Sequence, residues 1–269
     1  MMIACSTAVR CASPLDTALS DIAAAGFRHI DLLAIDGWVH VHTRDLAADF
    51  EGTAGHVEGL LRRHALTPIA LNTGVGPQLH DRSAEASERR ARETAALVRL
   101  MGRLGVRVAA IQPRNADPSR PWEEVLDACV ATLREQTAAG AAQGVTFALE
   151  LHVRSPFETL EQARRLLAAL PDLALVYDPS HFVMQGVDLR ETFWLIDRAR
   201  HVHLRDAAPG HMQVPLGEGA VDFDRVLGEL KERGYRGDFS IEYLETDAFD
   251  ALDSARRLFD VVARHFPGG

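Results

Sequence analysis

Four side chains able to bind a metal ion stand at the ends of four short apolar segments in the second half of the chain. They are Glu150, Asp178, His203 and Glu242. The four segments follow one another along the sequence, and each has the length of a β-strand. Carboxylate oxygens with one imidazole nitrogen suit Mn²⁺, Mg²⁺, Co²⁺ and Zn²⁺. If the four strands end at one place, these residues predict a site for one divalent metal ion, with Mn²⁺ as the first choice.

A (β/α)8 barrel would bring the four strand ends together. Apolar, β-branched segments alternate with long amphipathic segments, and the segment starts lie about 26 to 40 residues apart, the length of one βα unit. We predict strands at residues 2–6, 29–33, 68–72, 106–111, 145–151, 173–177, 201–204 and 239–242. In a parallel barrel all carboxyl ends of strands meet at one rim, where active sites lie. The fold prediction is therefore α/β, a single TIM-barrel domain covering residues 1–269.

An open, doubly wound sheet is the alternative fold. Such a sheet usually has a glycine-rich phosphate turn after its first strand. Residues 6–10, which follow the first predicted strand here, contain no glycine. The barrel is therefore favoured. Pro14, Pro121 and Pro156 stand where helices of the barrel should begin, because proline suits the first helical turn.

Composition excludes several classes of protein. The net charge of −9, from 38 acidic and 29 basic residues, opposes nucleic-acid binding, which needs a basic surface. No apolar run approaches the roughly 18 residues of a membrane helix, and the amino terminus lacks the features of a signal peptide. The three cysteines have no metal-binding spacing, and their odd number opposes a disulfide framework. We expect a cytoplasmic enzyme without nucleic-acid or membrane partners.

Each candidate ligand also has a simpler interpretation. A single glutamate at a strand end is usually solvated or ion-paired. Asp178 precedes Pro179 and is typical of a turn or a helix N-cap. His201 lies on the same strand face as His203 but one repeat deeper, as a core or supporting residue would. The occurrence of all four candidates on four consecutive strand ends favours the metal site.

The chain resembles the sugar phosphate isomerase/epimerase superfamily, whose members share a xylose isomerase-like TIM barrel. The matching segments are GFRHIDLLAIDGW at the second strand, LELH, YDPSHF and HVHLRD at the fifth to seventh, and PLGEGAVDFDRVLGELKERGYRG followed by FSIEYLE at the eighth. The resemblance implies that Glu150, Asp178, His203 and Glu242 hold a divalent metal ion. It further implies that Glu150 and Glu242 form an acid/base pair, and that His181 contacts a substrate oxygen.

The predicted function is a divalent-metal-dependent isomerase or epimerase of a small sugar, polyol ketone or keto acid. A glutamate removes a carbon-bound proton, and the metal stabilises the enediolate that results. Return of the proton from the opposite face gives an epimer, whereas return to the neighbouring carbon gives an isomer. The alternative is a metal-dependent dehydratase, a lyase of the same superfamily acting on an inosose or a dehydroshikimate-like substrate.

Residues near the predicted rim supply candidate contacts to a carbohydrate-like substrate. We predict His152 and Arg205 as polar contacts and Trp38 as an apolar wall. Arg154 and His211 are further polar candidates.

Two departures from the superfamily pattern leave the substrate undefined. Many ketose 3-epimerases of the superfamily have a second glutamate six residues after the first, where this chain has Pro156. They also tend to have an arginine six residues after the metal-binding histidine, where this chain has Pro209.

Three further functional hypotheses are weaker. A DNA-repair endonuclease on this barrel needs additional metal ligands, whereas the third and fourth strands end near Asn72 and Gln112. His40 and His42 alternate as on a strand, but a second metal site there is disfavoured for the same reason. A non-catalytic binding module would keep the pocket without needing all four ligands.

Members of the superfamily that the chain resembles often form dimers, so a homo-oligomer is an open expectation.

Overall fold

Eight parallel strands form a closed barrel in the computed structural model, which describes residues 1–267. In chain order, β1 to β8 are Ile3–Ser6, His29–Ile35, Thr67–Gly74, Val108–Ile111, Thr146–Glu150, Ala174–Tyr177, Ala199–Leu204 and Asp238–Ile241. Each strand pairs with the next one in the sequence, and β8 pairs with β1 to close the barrel. The predicted TIM-barrel fold is confirmed, and each strand begins and ends within two residues of its predicted bounds.

Helices surround the barrel on its outer face. Within residues 1–267, α1 to α9 are Leu15–Ala24, Thr43–Ala48, Phe50–His64, Ala84–Leu104, Trp122–Ala141, Leu160–Ala169, Pro179–Met184, Phe223–Glu232 and Ala251–His265. Between β6 and β7 the short α7 is followed by two 3-10 turns, Leu189–Glu191 and Phe193–Arg198, instead of a long helix. Among the described residues no helix combines the length and the apolar character needed to cross a membrane.

Two of the three predicted helix starts are correct. Pro14 and Pro121 directly precede α1 and α5. The prediction that Pro156 begins a helix is wrong, because α6 starts at Leu160. The Thr159 side chain accepts a hydrogen bond from the backbone of Gln162, whose side chain accepts one from the backbone of Thr159. This capping box satisfies two backbone N–H groups that the helix itself leaves free, so it fixes the start of the helix.

The main apolar core is formed by side chains of both strands and helices. Ala110, Ala148 and Val176 of β4, β5 and β6 form a small separate apolar cluster. Because side chains alternate along a strand, Glu150 projects to the same face of β5 as Ala148. The strand register therefore places the ends of β5 to β8 at one rim.

A buried carboxylate in α4 fixes two loops at this rim. Glu93 accepts hydrogen bonds from the Thr43 hydroxyl at 2.7 Å, the Gly76 N–H at 2.9 Å and Arg89 Nε at 2.6 Å. Arg89 also pairs with Asp36 in the turn after β2. Burial alone would raise the pKa of Glu93, but these hydrogen bonds outweigh burial and lower the pKa.

Replacing Glu93 by Gln should lower the free energy of unfolding by about 2 kcal/mol at neutral pH, because the uncharged amide accepts weaker hydrogen bonds. Since the folded-state pKa is below the unfolded value of 4.5, the carboxylate stabilises the fold above that value. The difference from wild type should shrink as the pH falls through the folded-state pKa. Urea unfolding at several pH values tests this, with the exposed Glu88→Gln of the same helix as control. A pH-independent difference would contradict it.

Candidate metal centre

The four predicted metal ligands lie together at the carboxyl end of the barrel. Glu150 is the last residue of β5, Asp178 follows β6, His203 belongs to β7 and Glu242 follows β8. One ligand atom from each residue lies within 4.8 Å of those of the others. In octahedral coordination with bonds of about 2.1 Å, ligand atoms are about 3.0–4.2 Å apart. A small adjustment would therefore allow all four to bind one ion.

The four side chains are nearly inaccessible to solvent, with residue exposures between 0 and 3%. The Nδ1 of His203 lies 2.8 Å from Oε1 of Glu150 and 3.3 Å from Oε2 of Glu242. Asp178 is also the N-cap of α7, since its Oδ1 accepts from the Ser180 N–H at 2.8 Å. The simpler interpretation of Asp178 as a cap is therefore correct, and its second oxygen still faces the cluster.

Burial and mutual charge shift the pKa values in this cluster. For His203, burial lowers the pKa, but the charges of Glu242 and Glu150 outweigh it and raise the pKa well above its usual value. For Glu150, burial raises the pKa and the His203 charge lowers it, with a net lowering. For Asp178, burial and the neighbouring glutamates raise the pKa more than Arg205 lowers it. Positive charge on His203 thus stabilises the Glu150 carboxylate, whereas burial and the acidic neighbours destabilise the ionised form of Asp178.

The residues present fit a divalent cation. Of the six carboxylate oxygens of Glu150, Asp178 and Glu242, only Oε2 of Glu150 is a buried atom without a hydrogen-bond partner. An unpartnered buried carboxylate oxygen is costly, and the positive charge of a cation held by the cluster would offset part of that cost. Three hard oxygen donors and one imidazole nitrogen are also a usual set for such an ion. Within residues 1–267, two overlapping groups also meet metal-ligand spacing: Asp31 with His201 and His203, and Glu150 with His152 and His181.

Arg205 is buried and contacts two of the candidate ligands. Its Nη2 donates to Oδ2 of Asp178 at 2.8 Å, and its Nη1 donates to Oε2 of Glu242 at 3.0 Å and to the Glu242 carbonyl oxygen. Its Nε donates to the Ser180 hydroxyl at 2.9 Å. The guanidinium therefore holds two candidate metal ligands in place, a role that the prediction of a substrate contact did not include.

Replacing Arg205 by Lys should lower the free energy of unfolding by about 2 kcal/mol, because one ammonium group cannot bridge Asp178, Glu242 and Ser180 together. Urea denaturation of the metal-free protein measures this effect. The exposed Arg200 of β7, the strand that Arg205 directly follows, serves as control, and its replacement by Lys should leave stability unchanged. Equal stability of Arg205→Lys and wild type would show that the bridge contributes nothing.

Two histidines, the buried His181 and the half-buried His152, lie beside the cluster. His181 is fully buried, and its Nδ1 accepts from the Val153 N–H at 3.4 Å. Its Nε2 lies 3.2 Å from Nη2 of Arg205, 3.6 Å from Oδ2 of Asp178 and 4.0 Å from Oε2 of Glu150. Burial and the neighbouring His152 lower the pKa of His181 well below its usual value. The ring of His152 lies 4.0 Å from that of His181, so both predicted contacts are adjacent to the cluster.

The remaining candidates lie in rim loops. Trp38 is in the turn after β2 with 39% of its surface exposed, and Arg154 and His211 are exposed. The ring of His40 lies against the Thr7 hydroxyl and two backbone carbonyls, at 3.1–3.2 Å. The structure does not bring these residues into the buried cluster.

Sequence reasoning missed two residues that contact the cluster. Asn72, two residues before the end of β3, donates from Nδ2 to Oε1 of Glu242 at 2.5 Å. Asp31 of β2 lies on the other side of the His203 ring, with Oδ2 3.1 Å from Nε2. The available signal was the polar residue itself: Asp31 is an acid within an apolar strand, and Asn72 stands at the end of another predicted strand.

Comparisons with known proteins agree with this architecture. The model of a protein family described as the xylose isomerase-like TIM barrel matches residues 19–263. An inosose isomerase of Halalkalibacterium halodurans is 24% identical over 249 residues, covering 85% of this chain and 88% of that protein. An inosose dehydratase of Geobacillus thermodenitrificans is 29% identical over 142 residues, covering 45% and 47% respectively. The crystal structure of the IOLI protein with a zinc atom matches with a TM-score of 0.75 at 23% identity, covering 99% of this chain and 100% of that one.

Proposed function

The chain belongs to the xylose isomerase-like TIM barrel family, and from this premise we propose that it is a divalent-metal-dependent isomerase or epimerase of a small sugar-like ketone or keto acid. The observation that carries the proposal is the pair Glu150 and Glu242. They come from β5 and β8, which are not neighbours in the barrel, yet their carboxylates contact the same nitrogen of His203. Two carboxylates around one centre are suited to removing and returning a proton.

Glu150, Asp178, His203 and Glu242 are the residues proposed to hold the cation. When bound, a divalent cation would polarise adjacent carbonyl and hydroxyl oxygens of a substrate and acidify the hydrogen on the carbon between them. Arg205 and Asn72 hold the Glu242 carboxylate, and His181 presents Nε2 toward the same space. His152, packed on His181, is proposed to contact a substrate hydroxyl, and Trp38 to cover the substrate from the rim.

The two glutamates differ in their surroundings. Both oxygens of Glu242 accept hydrogen bonds, one from Asn72 and one from Arg205. Glu150 has one oxygen bonded to His203 and the other without a partner. We infer that Glu150 takes the proton from the substrate carbon, because its free oxygen can receive that proton without losing a hydrogen bond. Glu242 then acts as the second acid/base group.

Charge balance favours a substrate without a phosphate group. Three carboxylates, the Arg205 guanidinium and one divalent cation sum to zero net charge, and the buried acid Asp31 beside His203 adds no positive charge. The site therefore offers no excess positive charge to a phosphate ester. The sequence also lacks a glycine-rich phosphate loop. A neutral polyol ketone fits this environment.

Product analysis in heavy water tests the proposal. Mn²⁺-loaded protein is incubated in D₂O with separate ketoses, inososes and keto acids, and the products are identified by mass spectrometry and NMR. An isomerase or epimerase should yield a product with one solvent deuterium on carbon and the composition of the substrate otherwise unchanged. Absence of turnover or exchange across all three substrate classes, with the metal bound, would leave a binding module as the better account.

A dehydratase is the second candidate function. It is favoured by the similarity of about half of this chain to an inosose dehydratase. The same proton removal would then be followed by loss of a hydroxyl group, and the product would lack the mass of one water. The D₂O experiment distinguishes the two reactions directly.

Four other expectations stay predictions: a preference for Mn²⁺, a homo-oligomeric state, a cytoplasmic location and a single-domain organisation.

A further inference from the structure

Asp31 is a buried acid whose role the proposed reaction leaves open. It lies in β2 and is completely inaccessible to solvent, and neither of its carboxylate oxygens has a hydrogen-bond partner. Oδ2 lies 3.1 Å from Nε2 of His203, which is itself without a hydrogen-bond partner. The distance suits a hydrogen bond, and only the angle between the two groups falls short of one. Two unpartnered buried groups therefore lie within hydrogen-bond distance of each other.

The neighbouring imidazole is engaged elsewhere. Nε2 of His201 lies 3.8 Å from Oδ2 of Asp31, but the same nitrogen is 2.6 Å from the Ser240 hydroxyl. Asp31 is thus available to accept a hydrogen bond from His203.

The two nitrogens of His203 face different partners. Nδ1 faces Glu150 and Glu242, whereas Nε2 faces Asp31. A neutral imidazole that binds a cation through Nδ1 must carry its proton on Nε2, and that proton needs an acceptor in a buried site. We propose that Asp31 is a positioning residue that accepts the Nε2 proton of His203 and so holds unprotonated Nδ1 toward Glu150, Asp178 and Glu242. This inference rests on the metal site proposed above.

A separate ion held by Asp31, His201 and His203 is the competing explanation, since these residues also meet metal-ligand spacing. It would require His203 to bind an ion through each nitrogen, and it would displace the short contact between His201 and Ser240. Metal stoichiometry separates the two explanations: the positioning role predicts one ion per chain, and the separate site predicts two.

The test replaces Asp31 by Asn, which has nearly the same size but no charge. Zn²⁺ affinity is measured by competition with a chromophoric chelator, and the expected loss is about 10- to 100-fold. Ser240→Ala is the matched control, because Ser240 is equally buried and contacts His201 rather than His203. It should bind Zn²⁺ as wild type does. Equal Zn²⁺ affinity of Asp31→Asn and wild type would overturn the inference.

A spectroscopic measurement keeps the inference testable even if the variant does not fold. In Zn²⁺-loaded wild type with ¹⁵N-labelled histidine, His203 should show an unprotonated Nδ1 and a slowly exchanging proton on Nε2. In Asp31→Asn that proton resonance should move upfield and exchange faster. A protonated Nδ1 in loaded wild type, or an unmoved resonance in the variant, would refute the positioning role. If wild type binds no metal at all, that result refutes the proposed metal site, on which this inference rests.

Discussion

Replacing Glu150 or Glu242 by Gln is expected to lower turnover by about 1,000-fold while the barrel stays folded. Glutamine has the size of glutamate but cannot accept a proton, and a positioned acid or base contributes 10²- to 10⁴-fold to a reaction. The substitution removes one buried charge from a crowded group of three, so we expect the fold to tolerate it. The measurement is kcat on the substrate identified by the D₂O screen, with circular dichroism as the check on folding.

Glu245→Gln provides the matched control for both variants. Glu245 lies three residues after Glu242 in the same loop, where its carboxylate accepts a hydrogen bond from the Ala12 N–H. Its replacement should leave kcat close to that of wild type. Turnover near the wild-type value in either Glu150→Gln or Glu242→Gln would remove that residue from the acid/base assignment.

Replacing His203 by Ala is expected to weaken metal binding by at least about 10-fold. The loss of an outer hydrogen-bond partner alone costs about 10- to 100-fold in metal affinity, and His203 is a proposed ligand itself. Elemental analysis after dialysis against a weak chelator measures the effect.

His211→Ala is the control for this experiment, because His211 is an exposed histidine in the loop after β7. Its metal content should match that of wild type. Unchanged metal content in His203→Ala would show that the imidazole is not a ligand, whatever the activity of the variant.

The barrel could be predicted from the sequence because its signal is local and repeated. Apolar runs of strand length, separated by helical periodicity, define eight units without any knowledge of long-range contacts. The start of α6 was mispredicted because a proline permits a helix start without requiring one. The capping box of Thr159 and Gln162 fixed the start instead. The prediction failed where two local signals competed.

The candidate ligands could be located for a different reason. Parallel strands of a barrel end at one rim, so the last residues of successive strands converge whatever the details of packing. Convergence of the strand ends predicts that Glu150, Asp178, His203 and Glu242 lie together. It does not determine how far a side chain beyond the end of a strand turns inward. Arg205 was therefore expected to meet a substrate, whereas its guanidinium bridges Asp178 and Glu242.

The contact of Asp31 with the cluster could not be predicted from the convergence of strand ends. It belongs to β2, which is separated from β7 by β8 and β1 in the barrel. No periodicity in the sequence reports a contact between strands that are not neighbours. The contact of Asp31 with His203 depends on the register of all the strands between them, and that register is a property of the closed barrel.

Anomalous diffraction from crystals soaked in Mn²⁺ tests the central claim most directly, because it locates the ion relative to its ligands. We predict one strong peak at the carboxyl end of the barrel, about 2.0–2.3 Å from donor atoms of Glu150, Asp178, His203 and Glu242. No peak at that position under saturating Mn²⁺, or a peak bound by other residues while these four side chains turn away, would contradict the account.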